Sequence, residues 1–270
     1  MILRERRFEK QMDPRAARFV SSLEADLRIY KETVLVNMAH VLMLYRCRLL
    51  KRREAATLLS ALRKLYRKDP RRLALRPELE DIHVLIEEEI IKAAGPDLGG
   101  KLHTAKSRND QVVAAIRMRA KRDVLQAERA VLQLVFSLVN KAAEHLTTLM
   151  PGYTHLQVAE PTTFAHYLGA YAQAFLRDAI RLENTYHVLD SSPMGACALS
   201  GTSFPIDRKM VADLLGFVRV DTNTMDAVGS RDWLIEPMSA LAITMVNLSR
   251  LAEDFILMSS GEFGLSLIHI

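Results

Sequence analysis

Cysteine is nearly absent from the 270-residue sequence: only Cys47 and Cys197 are present, far apart and outside any CxxC pattern. We therefore expect neither a structural disulfide nor a thiolate metal site. No two histidines have a metal-ligand spacing on one helix face, so we predict no metal. The patterns G-x-x-x-x-G-K-[ST] and G-x-G-x-x-G are also missing, which excludes the nucleotide-binding loops that they mark.

Long apolar runs are missing as well. No run approaches the roughly 18 residues that a membrane helix needs, and the basic segment 1–13 has no apolar core after it, unlike a secretory signal. Hydrophobic residues make up 49% of the chain and charged residues 26%, a balance typical of globular proteins. These features predict a soluble, cytoplasmic protein without a membrane partner.

Positive charge is unevenly distributed along the chain. The net charge is +5, and residues 1–76 hold 20 Lys and Arg against 8 Asp and Glu. A basic N-terminal part is compatible with nucleic-acid binding. These charges, however, lie among apolar residues at helical spacing, so they are more simply interpreted as the solvent-exposed faces of short helices. No zinc-finger, RNP or helix-turn-helix pattern is present, so we predict no nucleic-acid partner.

Glycine and proline are scarce, with 11 and 9 residues, and neither occurs between Lys101 and Met150. Apolar residues recur there in steps of three and four, which predicts one long helix. A second long helix is predicted to open at Pro161, with one apolar face made of Phe164, Leu168, Tyr171, Phe175, Leu182 and Leu189. A third is predicted over about 230–260, with Met238 and Met245 among its inward residues. Shorter helices are predicted at about Pro14 to Tyr30, Thr33 to Leu50, Arg53 to Tyr66 and Pro77 to Ala94. A short helix at about 208–215 should be capped by Asp207 and stopped by Gly216.

We find no alternation that predicts a strand, and the fold class is predicted to be all-α. The predicted domains are an N-terminal helical domain over 1–105 and a long-helix bundle over 106–264.

Three polar islands interrupt this apolar periodicity. The first covers 104–111, where Ser107 or Asn109 could cap the long helix and Asp110 suits its dipole. Capping does not explain Lys106 and Arg108, because cations are misplaced at a helix N-terminus. A basic loop at a helix start is typical of a carboxylate or phosphate site, so capping and ligand binding stay open as alternatives.

The other two islands contain histidines. In the segment 151–157 a turn presents Thr154 and His155 between two long helices, and histidine is the natural proton carrier near neutral pH. In the segment 80–83, ahead of a helix rich in glutamate, the residues Glu80 to His83 are most simply a helix cap. Either histidine alone could be structural.

Six segments occur in a fixed order along most of the chain. They are EDIH at 80–83, GKLHTAKSRNDQ at 100–111, PGYTHLQ at 151–157, GTSFPIDR at 201–208, NTMDAVGSRD at 223–232 and NLSRLAEDFIL at 247–257. Together they resemble argininosuccinate lyase, a family of the fumarase/aspartase superfamily. The combination of SRNDQ with PGYTHLQ is highly specific for it.

The resemblance implies an all-α bundle of the superfamily type and a homotetramer whose active sites are shared between subunits. It also implies cleavage of argininosuccinate to arginine and fumarate, by proton abstraction and C–N elimination, in arginine biosynthesis and without a cofactor. The implied catalytic residues are His155, for proton transfer, and Thr154, which also binds substrate. The implied substrate-binding residues are Ser107, Arg108, Asn109, Ser22 and His83.

The chain departs from the family pattern in three places. The superfamily signature G-S-S-x-M-P-x-K-x-N, with the Ser that acts as general base, is expected soon after Glu262, but the sequence reads LSLIHI there. We therefore expect 265–270 to be a non-native tail and this chain alone to be inactive or nearly so. Asn37 stands where the family usually has Ser, and Ser230 where it has Asp. The competing interpretations are another superfamily lyase, such as adenylosuccinate lyase, and a non-catalytic structural relative.

Overall fold

The computed structural model describes residues 12–73, 75–76 and 79–264, and these are mostly helical. They group into two compact units. The first contains the described residues up to Arg119 together with Asp190–Ser230, and the second contains Ala120–Leu189 and Arg231 onward. The all-α prediction is confirmed. The domain boundary at 105/106 stays a prediction, and the expected tail at 265–270 lies outside the described residues.

The first unit is built from short helices around one apolar core. Its helices are α1 (Pro14–Val20), α2 (Leu23–Asp26), α3 (Tyr30–Arg46), α4 (Arg52–Arg67), α5 (Ile82–Ala94) and α6 (Pro96–Gly100). Helix α4 shows why they pack: its buried residues fall three or four apart and form one apolar face. They are Ala55, Leu58, Ala61, Leu62 and Leu65. Helix α3 packs on α4, and α5 on both, so the polar start of α5 is held by a buried core.

The segment 190–230 returns to this first unit. It contains β3 (Ser191–Ser192), α9 (Arg208–Leu214), β4 (Arg219–Val220) and α10 (Thr224–Gly229), with β3 and β4 paired in parallel. Met194 belongs to the same core cluster as α3 to α5. Asp207 caps α9 by accepting from Met210 N at 2.8 Å, and Gly216 follows the helix with φ 75°. Both predictions for this short helix are confirmed.

Long helices dominate the second unit. Helix α7 (Arg108–Glu144) begins in the first unit and ends in the second, and α8 (Phe164–Leu189) packs against α11 (Asp232–Met258). All six apolar residues that the sequence placed on one face of α8 are buried, namely Phe164, Leu168, Tyr171, Phe175, Leu182 and Leu189. The hydroxyls of Tyr167 and Tyr171 both donate to Oδ2 of Asp254, which joins the two helices.

The strand-free prediction is wrong for the short pair β3 and β4 and, over a longer stretch, for residues 149–163. This segment forms an antiparallel hairpin of β1 (Leu149–Thr154) and β2 (Gln157–Thr163). Pro161 therefore lies in β2, opposite Pro151, and α8 begins three residues later. Prolines and a register shift between Pro151 and Tyr153 interrupt the alternation by which a strand is recognised.

Other helix boundaries also differ from the sequence prediction. The helix expected from Pro14 to Tyr30 is broken after Val20, and the one expected from Pro77 begins at Ile82; residue 77 itself lies outside the described ranges. On α11, Met238 and Met245 were expected to face inward, yet both are exposed in the single chain.

Candidate active site

The start of α7 is stabilised by a reciprocal pair of side-chain caps. The carboxylate of Asp110 accepts from Ser107 N at 3.1 Å, and the hydroxyl of Ser107 accepts from Asn109 N at 3.3 Å. Asp110 acts here like the Glu of a capping box, whereas Ser107 accepts from the second amide of the helix and not from the third. Of the two predicted caps, Ser107 is confirmed, and Asp110 adds a cap that was not predicted. The side chain of Asn109 donates elsewhere, to Ala198 O at 2.9 Å.

Arg108 is joined to the segment 80–83. Its Nη1 lies 2.5 Å from Oδ2 of Asp81 and 3.3 Å from Oε1 of Glu80. The other oxygen of Asp81 accepts from Val84 N at 2.9 Å and caps α5, as predicted for this island. Two carboxylates therefore balance the cation that the sequence could not explain by capping, and they attach the start of α7 to the start of α5.

Ser22 lies beside the same segment. Its backbone N donates to Glu80 O at 2.9 Å, and its hydroxyl donates to Oδ2 of Asp26 at 2.8 Å. The same carboxylate oxygen accepts from Ile82 N at 3.3 Å, and burial raises the pKa of Asp26. Glu80 adopts φ 67°, a left-handed conformation that is uncommon for a residue with a side chain.

His83 is the second residue of α5, and its side chain is buried, with 7% exposed. Neither ring nitrogen has a hydrogen-bond partner among the described residues. Buried polar atoms in folded proteins nearly always have one. Burial lowers the pKa of His83 to about 4, with Asp81 opposing and Lys106 adding to the effect, so the imidazole is neutral near pH 7. A neutral imidazole carries one donor and one acceptor and can serve a polar ligand.

Lys106 is buried behind the start of α7. Its ammonium group donates to Oδ1 of Asn37 on α3, the position where the chain departs from the family pattern. Burial lowers the pKa of Lys106 to about 8, while Glu87 and Asp110 oppose the shift. His40 lies on the same side, with Nε2 2.7 Å from Thr104 O. Burial, followed by the charge of Lys106, lowers the pKa of His40 to about 3.

Thr154 and His155 belong to the second unit, where they lie at the tip of the hairpin. Thr154 pairs with Gln157, which leaves His155 and Leu156 as a two-residue turn. Both turn residues have positive φ, 53° and 59°, the conformation of a type I′ turn that normally selects Asn and Gly. Such strain clusters at functional sites. Thr154, His155 and Leu156 are exposed, so a side chain that can carry a proton is presented on a strained turn.

Ser22, His83, Ser107, Arg108 and Asn109 are thus brought together within the first unit. Sequence reasoning missed Asp26 and His40, the bond from Lys106 to Asn37, and the bonds that Asp110 accepts from residues 195 and 197. A carboxylate or amide among apolar residues at helical spacing is the sequence signal for Asp26 and Asn37. Ser22 is only four positions from Asp26, but Ile82 lies 56 positions from Asp26 and Lys106 lies 69 positions from Asn37.

Within residues 12–73, 75–76 and 79–264, no group of three or more His, Cys, Asp or Glu could hold a metal ion. No helix in that same part of the chain is long and apolar enough to cross a membrane.

Comparison with known proteins adds independent information. A family profile described as "Lyase" matches residues 6–270. An argininosuccinate lyase of Methanocaldococcus jannaschii is 39% identical over 263 residues, 97% of this chain and 54% of that protein. An argininosuccinate lyase of Methanothrix thermoacetophila is 46% identical over 246 residues, 91% of this chain and 50% of that protein.

A solved structure agrees with these sequence matches. The crystal structure of an EDDS lyase in complex with formate is 30% identical, with a TM-score of 0.80, and the match covers 88% of this chain and 46% of that one. The chain spans about half the length of the curated relatives that it matches. Because the family profile matches almost the whole sequence, the chain belongs to the lyase family.

Proposed function

We propose that the protein is an argininosuccinate lyase, which cleaves argininosuccinate to arginine and fumarate in arginine biosynthesis. The observation that carries the proposal is that Ser22, His83 and the start of α7 all meet at the segment 80–83. Relatives of that name match over more than nine-tenths of the chain. Arginine biosynthesis and a cytoplasmic location are proposed with the activity.

The residue types suit this chemistry. A base, in the family pattern the Ser of the superfamily signature, takes a proton from the carbon beside a carboxylate of the substrate. The electron pair left behind gives a doubly charged aci-carboxylate. Fixed donors stabilise such charge, and Ser107 and Asn109 at the positive end of α7 supply them. The C–N bond then breaks, fumarate forms, and the departing guanidino nitrogen gains a proton. We assign His155 to proton transfer and Thr154 to substrate binding.

We also propose assembly into a homotetramer with shared active sites. In the single chain, large apolar side chains are exposed along all three long helices, among them Leu132, Phe136, Ile180, Met238 and Met245. A monomer rarely exposes so many apolar residues on neighbouring turns, and such faces are typical of subunit interfaces.

The test uses residues 1–264 joined to the C-terminal part of the Methanothrix relative, with the chain itself assayed in parallel. Fumarate release is followed by its ultraviolet absorbance with argininosuccinate, adenylosuccinate and EDDS as substrates. We expect the joined protein to cleave argininosuccinate and to cleave neither adenylosuccinate nor EDDS. A folded, tetrameric product that leaves argininosuccinate intact, or prefers another substrate, contradicts the proposal.

A further inference from the structure

We propose that residues 193–201, here called the 193–201 loop, form one wall of the substrate-binding site, and that Asp110 is the residue that positions it. The inference rests on the proposed function for the identity of the substrate. It adds a loop and a positioning residue to that site, and both follow from contacts within the first unit.

Asp110 joins the loop to the start of α7. Its side chain is fully buried. One carboxylate oxygen accepts from Gly195 N at 3.1 Å and Cys197 N at 2.9 Å, and the other accepts from Ser107 N at 3.1 Å. Three backbone donors on one carboxylate form a strong, charge-assisted set. A helix cap needs only the bond to Ser107, so the two bonds to the loop require another explanation.

The backbone of the loop adopts an uncommon conformation. Gly195, Cys197 and Gly201 have φ values of 85°, 55° and 78°, and a Cβ at Gly195 would lie 2.6 Å from Cγ of Arg208. The left-handed conformation of Cys197 is unfavourable for a residue with a side chain, and it persists only where the surroundings impose it. Asp110 supplies that constraint through Cys197 N.

The loop then reaches a residue of the proposed site directly. Ala198 O accepts from Nδ2 of Asn109 at 2.9 Å, and residues 198–200 are exposed. This bond fixes the rotation of the Asn109 amide, so its oxygen and its second N–H point in fixed directions. Asp110 thus acts on the substrate through the loop and Asn109, and it does not touch the substrate itself.

The substitution Asp110→Asn tests this chain of contacts with almost no change in volume. An amide has one acceptor oxygen, so it cannot accept from Ser107 on one side and from the loop on the other. Hydrogen exchange of the chain, measured by mass spectrometry, should accelerate at least tenfold in 193–201 or at 107–109. The control is Asp69→Asn, since Asp69 is an exposed cap that accepts from Arg71 N at 3.0 Å; no change is expected in either segment.

Calorimetric titration of the chain with argininosuccinate and with fumarate supplies the functional readout. We expect Asp110→Asn to weaken binding about tenfold or more. It should also lower the thermal unfolding midpoint relative to Asp69→Asn, because a buried backbone donor loses its acceptor, so binding is measured well below that midpoint. The pH profile separates positioning from general stability. Burial raises the pKa of Asp110 to about 6, with its backbone donors and the charge of Lys106 opposing. The thiol of Cys197, whose own pKa is raised by burial and by Asp110, is a titratable group that interacts with it. Wild-type affinity should fall below about pH 6, and that of Asp110→Asn should not.

Unchanged exchange in both segments overturns the positioning role, whatever the substrate. If Asp110→Asn accelerates exchange but leaves the affinity and its pH profile unchanged, the 193–201 loop does not form a wall of the substrate-binding site. If the wild-type chain binds neither argininosuccinate nor fumarate, the proposal that the loop lines the substrate site is overturned for this chain. The proposed function is then decided separately by turnover of the joined protein, and the exchange data still decide whether Asp110 holds the loop.

Discussion

Asp81 is the residue whose removal should disturb the site most informatively, because one side chain has two separable tasks. It caps α5 through Val84 N, and it pairs with Arg108. Asparagine caps as well as aspartate does, whereas alanine does not, a difference of about 1 kcal/mol. Comparing Asp81→Asn with Asp81→Ala therefore separates the cap from the charge.

The charge contribution can be bounded from the structure. The Arg108 side chain is 40% exposed, and Glu80 stays 3.3 Å from its guanidinium when Asp81 is neutral. The ion pair should thus contribute about 1 kcal/mol, near the value for partly exposed pairs. We expect Asp81→Asn to lower the opening free energy of α5 by about 1 kcal/mol and Asp81→Ala by about 2 kcal/mol.

Hydrogen exchange of the amides of Leu85 and Ile86, inside α5, measures this opening free energy, with roughly tenfold faster exchange for each 1.4 kcal/mol. Equal effects of the two substitutions would refute the capping role. An effect of Asp81→Ala below about 0.5 kcal/mol would refute the whole assignment, since neither task would then contribute.

Three further predictions concern the hairpin and the buried amine. Leu156→Gly should stabilise the hairpin by about 1 kcal/mol, because Leu has left-handed backbone there; slower amide exchange in β1 and β2 is the expected result, and faster exchange the contrary one. Gly152→Ala should destabilise it by about 1–3 kcal/mol, since the added Cβ would lie 2.8 Å from Glu160 O; an unchanged unfolding midpoint would contradict this. Burial lowers the pKa of Lys106 from 10.5 to about 8 in the folded state. As the pH rises, the folded state therefore loses this proton before the unfolded state does. The free energy of unfolding of the wild type should rise between pH 8 and 10.5 by up to roughly 3 kcal/mol. Denaturant unfolding of Lys106→Met should lack that rise, and an identical pH profile in both proteins would exclude the shift.

Local periodicity was enough to predict the long helices and the apolar face of α8, because helix burial repeats every three to four residues. The hairpin at 149–163 was missed, since its prolines remove the alternation and its turn uses His155 and Leu156 in place of Asn and Gly. Single residues such as Ser107 and Asp81 were predicted as caps from their neighbours in sequence. The bond of Asp110 to Cys197 and the bond of Arg108 to Asp81 could not be predicted. These partners lie 87 and 27 positions away along the chain, and only the fold brings them together.

The most direct test of the account is to locate the bound substrate on the chain. An isotopically labelled sample, titrated with argininosuccinate and followed by amide chemical shifts, should show saturable changes at Ser22, His83 and 107–109, with smaller ones in 193–201. Saturable changes confined to other residues of the first unit would contradict the assignment of this site.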